Sequence, residues 1–377
     1  MKINIIGTAL VSFIMNSTLR FFVPVLLPFI ISNLNINVYL GSLLVTAYWI
    51  GYTFMQIPSG IIADRIGISL SARLSFFAMV LLFTGFYFFR SYLCYFLIQV
   101  FIGAASAMVY VSDTAIVQAA SELKKRAESV GIYQTGFFIG ASLGEYLVLR
   151  TFDISFDFSF YFIMILLIIA LILNILFMNY KDFKRPPGRI DRNIVYVALI
   201  RFSAGFSYIG FAAIFTTFIV YTGIVNYKNA YIYAWIPASG GLITSPIGGI
   251  ISSRLGINKS ILSIIPVIIM DFIIMFLNYL KKYIFLLSFF TGIMYGIYAG
   301  PSMGMASDFS GGDKNIASSS GIINFSSQVG GTISPIIIGF LYSIYHSFYI
   351  PFIFISLTSM IVLTIPILKL RIHTRYL

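Results

Sequence analysis

Six ionisable side chains lie inside long apolar segments of the sequence or at their ends, where a charge is costly unless it is paired or faces water. They are Arg20, Asp113, Arg201, Asp271, Asp308 and Glu145, the last interpreted as part of an ion pair with Arg150 at the outer end of its span. A guanidinium holds a carboxylate or phosphate through two parallel hydrogen bonds. A buried carboxyl group can take up and release a proton. These residue types predict anion binding and proton movement, and the alternative is that each group only pairs with a structural neighbour.

The apolar segments that position these residues are mostly longer than the roughly 18 residues that mark a membrane-spanning helix. They recur along the whole chain with short polar breaks. We therefore predict an all-α polytopic membrane protein with twelve transmembrane helices. The predicted spans are residues 5–32, 38–62, 72–89, 92–119, 129–149, 159–180, 194–222, 229–252, 260–280, 283–307, 316–344 and 348–368.

The composition supports a lipid environment, because 59% of the residues are hydrophobic and only 10% are charged. Soluble domains carry about a quarter charged residues. The net charge of +12 does not indicate nucleic acid, because the basic residues sit in the breaks between apolar segments. Of the 24 Lys and Arg residues, 17 fall on one side of the predicted topology and five on the other. The positive-inside rule then predicts that both termini are in the cytoplasm, and the expected location is the plasma membrane.

Sites for catalysis or cofactors are not indicated. The single cysteine, Cys94, permits no internal disulfide, and His346 and His373 both lie at the ends of spans. There is no glycine-rich phosphate loop. We expect no enzymatic activity, no metal and no cofactor, so any transport must be driven by a gradient.

The stretch PSGIIADRIG at residues 58–67 returns in altered form as GIISSRLG at residues 249–256. Gly60 then corresponds to Gly249 and Gly67 to Gly256, so the matched positions lie half a chain apart. A duplicated apolar unit is typical of transporters built from parallel repeats.

This repeat predicts the organisation of the chain into two halves. We predict two six-helix bundles, residues 1–180 and 194–377, related by a pseudo-twofold axis. The cytoplasmic linker between them, residues 181–193, contains Pro186, Pro187 and Gly188, which do not continue a helix.

The first copy of the repeated stretch resembles a loop of the major facilitator superfamily, and the resemblance covers nearly the whole chain. Gly60, Ala63, Asp64, Arg65 and Gly67 match the family pattern. In that family the loop stabilises one of the alternating conformations, which implies that Asp64 is a conformational latch. The alternative is a solvated charge on a tight turn.

The second copy of the loop and two other charged residues complete the predicted gate. The second copy keeps Arg254 but has Ser253 in place of the acid. Asp308 at the inner end of the tenth span is interpreted as a gate charge. Arg201, near the cytoplasmic end of the seventh span, is interpreted as a gate residue or as a side chain that reaches toward lipid headgroups.

Two further motifs of the family are incomplete in this chain. In the fifth span Gly136, Gly140 and Gly144 match an antiporter motif, but Ala141 replaces its proline. On the fourth span Gln99 stands where the family carries an arginine. A proton-coupling role for that position therefore does not carry over.

The resemblance also implies roles for the buried polar residues. Arg20 precedes Pro28 on the first span, which resembles organic-anion and organophosphate symporters whose first helix binds the substrate anion through an arginine. Asp113 is the expected proton carrier, since helix 4 lines the central cavity in this family, and Asp271 is second. The residues expected to make polar contacts to the substrate are Tyr110, Gln134, Tyr295, Tyr298 and Asn324. The alternative for these residues is that they form hydrogen bonds between helices.

We therefore expect a secondary transporter, a monomer in the lipid bilayer, that moves a small organic anion together with a proton. The alternative within the class is proton-coupled efflux of apolar or cationic compounds. A transporter-like receptor or scaffold that moves no solute is the rival from another class.

Overall fold

The computed structural model describes residues 2–36, 38–152, 154–180, 190–226, 231–310 and 315–369, and these contain helices and no strand. The first half of the chain forms six helices in order. They are α1 (Lys2–Leu34), α2 (Val38–Ile66), α3 (Ile68–Phe88), α4 (Tyr92–Ala120), α5 (Arg126–Ile139, a π-helical turn at Gly140–Gly144, then Glu145–Phe152) and α6 (Phe156–Phe177).

The second half continues with six more helices within the described residues. They are α7 (Ile194–Ala204, a π-helical turn at Gly205–Ile209, then Gly210–Tyr221), α8 (Tyr231–Ala234 and Ile236–Arg254), α9 (Lys259–Phe276), α10 (Ile284–Asp308), α11 (Ile316–Tyr345) and α12 (Tyr349–Lys369). Eight of the helices in the described residues are long and apolar enough to cross a membrane. The all-helical fold class is confirmed, whereas a crossing by all twelve helices stays a prediction.

Helix ends in this chain follow from local chemistry. The Ser91 and Ser155 hydroxyls accept hydrogen bonds from the first-turn amides of α4 and α6, as N-cap residues do. Gly67 separates α2 from α3 with a φ of 101°, and Gly256 follows α8 with a φ of 66°. Glycine adopts this left-handed region at little cost. The turn expected at Gly67 is present, and its counterpart in the sequence repeat, Gly256, also has a positive φ.

By its contacts the chain divides into two compact units. The first unit comprises Met1–Ser121, Gly136–Gly188 and Asp313–Gly321, and the second comprises Glu122–Thr135, Arg189–Gly312 and Ile322–Leu377. The first turns of α5 thus belong to the second unit, and the first turns of α11 belong to the first. The predicted boundaries at residues 180 and 194 stay a prediction, and residues 181–189 of the predicted linker lie outside the described residues.

In the first unit α2 and α4 approach each other to backbone contact. A Cβ atom added at Gly51 would overlap the carbonyl oxygen of Val100, and one added at Gly103 would overlap the carbonyl oxygen of Tyr48. Helices in lipid associate through such close packing of small residues. The contact fixes the face of α2 that carries Tyr48, which is part of the candidate site described below.

The second unit repeats this contact between α8 and α10. Gly240 lies against the carbonyl oxygen of Phe289, and Gly292 lies against the carbonyl oxygen of Pro237. All four positions correspond to those of the first contact in the alignment that places Gly60 on Gly249. The sequence repeat is therefore also a repeat of helix packing.

The outer surface of the helices is apolar and the interior holds polar side chains. On α6, Ile165, Ile169 and Ile172 are exposed. Asn174, on the same helix, is fully buried and donates a hydrogen bond to the Ser12 hydroxyl of α1. This arrangement suits lipid, in which apolar side chains are soluble and polar groups need internal partners.

We expect Gly51→Ala and Gly103→Ala to destabilise the protein by roughly 1–3 kcal/mol, because overpacking against a backbone carbonyl forces the helices apart. In an unhindered helix the same change would stabilise by up to about 1 kcal/mol. Gly7→Ala is the matched control, since no heavy atom lies within 4 Å of a Cβ placed there. Thermal unfolding of the detergent-purified variants tests this. Equal stability of all three variants would contradict it.

Candidate functional site

Arg20 lies in an aromatic cage inside the first unit. Its guanidinium carbon is 4.5 Å from the ring centroid of Tyr52, 5.2 Å from that of Trp49 and 5.3 Å from that of Phe137. The Tyr48 ring is 5.8 Å away. A cation over an aromatic face is stabilised by the ring quadrupole, and more so when water is excluded. Because α2 supplies three of the four rings, the α2–α4 contact positions most of the cage.

Only some of the hydrogen-bond donors at the edge of the Arg20 guanidinium have partners among the described residues. Its Nε donates to the Tyr48 hydroxyl at 3.4 Å, whereas its Nη2 is buried and has no hydrogen-bond partner among the described residues. The side chain is 4% exposed, and none of the ion pairs of the described residues includes it. Since the rings cover its faces, the donor without a partner among the described residues lies at the edge of the guanidinium plane.

Arg201 is held by hydrogen bonds inside the second unit. Its Nη1 donates to the Ser302 hydroxyl at 3.1 Å and its Nη2 donates to Asn324 Oδ1 at 2.9 Å. Its guanidinium carbon lies 5.3 Å from the Tyr298 ring centroid. The prediction that Arg201 reaches toward lipid headgroups is wrong, because the residue is 4% exposed. Two predicted substrate residues, Tyr298 and Asn324, therefore lie next to Arg201, a predicted gate residue.

A stack of tyrosines extends this second cluster. The rings of Tyr208 and Tyr295 are stacked at 4.0 Å, and Tyr295 lies 5.1 Å from Tyr298. The Tyr208 hydroxyl donates to the carbonyl of Pro237 at 2.7 Å. The structure thus brings together Tyr295, Tyr298 and Asn324, which the sequence had suggested one by one. Tyr208 and Ser302 were not predicted, although Ser302 is the counterpart of Asp113 in the sequence repeat.

Sequence reasoning also missed the residues around Arg20. The spacing of Tyr48 and Tyr52 by one helical turn is a usable pattern, but nothing local indicates that Phe137 packs on the same arginine. The predicted Tyr110 is 2% exposed and packs on Phe13 at 5.1 Å. The predicted Gln134 is 6% exposed and belongs to the second unit. Their roles in substrate binding stay predictions.

Both predicted proton carriers are fully buried. Asp113 on α4 and Asp271 on α9 are each 0% exposed, and neither carboxylate has a hydrogen bond among the described residues. The hydroxyls of Ser207 and Ser359 lie close to the Asp271 carboxylate. A carboxylate without partners is costly in an apolar interior, and a bound proton or another cation would neutralise it. Geometry therefore keeps both residues as candidates.

The latch candidate Asp64 contacts the N-terminus of α11 within the first unit. Its Oδ2 accepts hydrogen bonds from the Ser318 amide at 3.1 Å and from the Ser318 hydroxyl. A Cβ at Gly60 would lie 2.7 Å from the Ser318 Cα, so glycine permits this approach. A carboxylate at a helix N-terminus satisfies free amides and the positive end of the helix dipole.

The second unit contains the corresponding contact between α8 and α5. The Ser253 hydroxyl accepts a hydrogen bond from the Glu128 amide at 3.2 Å, and Arg254 Nη2 lies 3.0 Å from Glu128 Oε1. In the sequence repeat Ser253 is the counterpart of Asp64; around α5 the repeat is one residue longer, with Gly131 matching Gly321, so Glu128 is the counterpart of Ser318. The acid is therefore on α2 at one contact and on α5 at the other.

The other gate candidates occupy different settings. Arg65 is exposed at the end of α2. Asp308 forms an ion pair with Lys259, with its Oδ2 2.7 Å from the Lys259 Nζ. This pair links the end of α10 to the start of α9. The gating roles of Asp64, Arg65, Arg254 and Asp308 stay predictions.

The chain belongs to the major facilitator superfamily, because the model of that family matches residues 8–280. Members of this family are membrane transporters. A comparison with curated protein sequences found no match. The family assignment confirms a multi-pass membrane protein of the transporter class.

Solved structures support the same fold. A crystal structure of FucP, a major facilitator superfamily transporter, in the outward conformation is similar with a TM-score of 0.73 and 16% identity, over 96% of this chain and 98% of that one. A variant of the Escherichia coli fucose:proton symporter FucP gives a TM-score of 0.75, 16% identity, and 96% and 98% coverage. The human organic anion transporter MFSD10 gives a TM-score of 0.76 and 10% identity, with 97% and 99% coverage.

We expect Asp64→Asn to speed hydrogen exchange at the first amides of α11, because it removes a charge-assisted cap worth about 1 kcal/mol. Hydrogen-exchange mass spectrometry of peptides covering residues 315–322 measures this. Ser253→Ala is the comparison, and it should have a smaller effect at residues 126–131, where Glu128 keeps a carboxylate in the first turn of α5. Unchanged exchange at Ser318 in Asp64→Asn would contradict the cap.

Proposed function

We propose that this protein is a secondary active transporter of a small organic anion, working by alternating access with proton symport, in the plasma membrane with both termini in the cytoplasm. The observation that carries the proposal is the buried Arg20 guanidinium. Its Nη2 has no partner among the described residues. A cation in this setting is stabilised by its aromatic cage but is not neutralised by it.

A small anion that presents one or two oxygen atoms fits the edge of the Arg20 guanidinium better than a large polyanion. The rings of Tyr52 and Phe137 lie over the guanidinium at 4.5 and 5.3 Å, so approach is restricted to the plane of the group. Carboxylates bind arginine in this plane with strong directional hydrogen bonds. A sugar phosphate presents a similar pair of oxygens, and both classes belong in the test.

Asp113 is the proposed proton carrier. It lies in the same unit as Arg20, is fully buried and has no hydrogen bond to either carboxylate oxygen among the described residues. Protonation removes the cost of this buried charge, so its proton occupancy is sensitive to changes in its surroundings. A change of conformation that admits water would release the proton.

The tyrosine stack of the second unit favours the alternative function, efflux of an apolar or cationic compound. Aromatic faces bind apolar rings and cations. However, Arg201 lies 5.3 Å from the Tyr298 ring, and its positive charge opposes a cationic ligand there. We therefore place the anion transporter first.

We expect Arg20→Ala to abolish counterflow of the transported anion into proteoliposomes, and Arg20→Lys to reduce it at least about tenfold, because a charged hydrogen bond contributes roughly 1.5–3 kcal/mol. The measurement is uptake of labelled carboxylates and sugar phosphates by preloaded vesicles.

The control for this experiment is Arg90→Ala, since the Arg90 side chain is 56% exposed and should not affect uptake. Unchanged anion uptake in Arg20→Ala would refute the anion proposal. Counterflow of a labelled cation or neutral compound by the wild-type protein, with no counterflow of any anion, would favour efflux instead.

We expect Asp113→Asn to retain counterflow but to lose accumulation driven by a pH gradient, because the amide cannot carry a proton. Parallel counterflow and gradient-driven uptake measurements separate the two effects. Asp157→Asn is the control, as the Asp157 side chain is 57% exposed. Gradient-driven accumulation that persists in Asp113→Asn would exclude this residue as the carrier.

A further inference from the structure

Asp271 has surroundings that differ from those of Asp113. Helices α7, α9 and α12 bring a group of serines toward its carboxylate within the second unit. The Ser207 hydroxyl, from the π-helical turn of α7, and the Ser359 hydroxyl, from α12, both lie close to it. All three residues are 0% exposed.

The hydroxyl oxygens of Ser207 and Ser359 and the carboxylate oxygens of Asp271 can act as ligands of a cation. The hydroxyls of Ser207 and Ser359 donate to the same carbonyl, that of Ser203, at 3.1 and 3.2 Å. When both hydroxyls donate to this carbonyl rather than to Asp271, the lone pairs of both hydroxyl oxygens are available to a cation. Both carboxylate oxygens of Asp271 lack a hydrogen-bond partner among the described residues.

Two more hydroxyls lie on the same helices. Ser203 is one helical turn before Ser207, and Ser356 is one turn before Ser359. Both are 0% exposed, and the described residues supply no hydrogen bond to either hydroxyl oxygen. Buried hydroxyl oxygens are therefore concentrated on α7 and α12, the two helices that bring Ser207 and Ser359 to Asp271.

We infer that the Asp271 carboxylate and the Ser207 and Ser359 hydroxyls form a binding site for a small monovalent cation of the sodium class. Hard cations bind carboxylate, hydroxyl and carbonyl oxygens. Interrupted helices in transporters commonly supply such oxygens, and π-helical turns are frequent at functional sites.

A sodium-like ion explains the surroundings better than the other occupants. A proton on Asp271 supplies one O–H donor, which can bond to one hydroxyl oxygen, whereas a sodium-like ion can bind the carboxylate and both hydroxyl oxygens together. A divalent cation would leave an excess positive charge, because Asp271 is the single acid in this group and charge is costly at this depth. The described residues hold no cluster of three or more acidic, His or Cys ligands.

The test measures the thermal unfolding of the full chain in detergent without added solute, in sodium chloride and in potassium or N-methylglucamine chloride at equal ionic strength. We expect sodium to raise the unfolding temperature by roughly 2–4 °C over the other salts when its concentration is far above the dissociation constant. Asp271→Asn should lose this difference and Ser359→Ala should reduce it.

The matched control is Ser263→Ala. This serine is also on α9, is buried, and donates to the carbonyl of Lys259 at 2.7 Å, so the sodium effect should persist. If Asp271→Asn does not fold, Ser207→Ala and Ser359→Ala carry the test. An unfolding temperature in sodium chloride no higher than in potassium chloride would overturn the inference, and a site that binds only a proton gives this result. An undiminished sodium effect in the folded Asp271 and serine variants would overturn it as well. Because no anion substrate is present, the outcome is independent of the Arg20 experiment.

Discussion

A charge inside an apolar helical bundle must be compensated by the groups around it, and this constraint organises the interior of the protein. Transfer of an uncompensated ion into hydrocarbon costs several kcal/mol or more. Arg20 is compensated by four aromatic rings and one hydroxyl. Arg201 is compensated by a hydroxyl, an amide oxygen and one ring. The two arginines are thus stabilised in different ways, Arg20 mainly by ring faces and Arg201 mainly by hydrogen bonds.

These two arginines are not equivalent positions of the repeat. In the alignment that places Gly60 on Gly249, Arg20 corresponds to Ile209 and Arg201 corresponds to Ser12. The packing of α2 on α4 and of α8 on α10 gives two similar frameworks, and each carries its own arginine. Arg201 donates hydrogen bonds to Asn324 and Ser302, whereas Arg20 is held mainly by aromatic rings and has a buried donor without a partner among the described residues.

Much of the fold was predictable because its determinants are local. Apolar segments of membrane-spanning length set the helices, and Gly67 and the breaks at the serine caps set their ends. The cage around Arg20 was not predictable, because Phe137 lies on another helix and no periodicity shows which faces meet. The error at Arg201 has the same origin. Its position near the start of α7 suggested a surface side chain, but its partners lie 101 and 123 residues away in sequence.

The contacts at Asp64 and Ser253 show how a repeat can keep an interaction while exchanging its parts. The first-turn amides of α5 and α11 need an acceptor, and the positive end of each helix favours a carboxylate. At α11 the carboxylate comes from α2, through Asp64. At α5 it is Glu128 of the helix itself, bound by Arg254, while Ser253 supplies the neutral acceptor. Each helix N-terminus is thus served by one acid, and the physical requirement, rather than the residue at a given position, is what the two halves share.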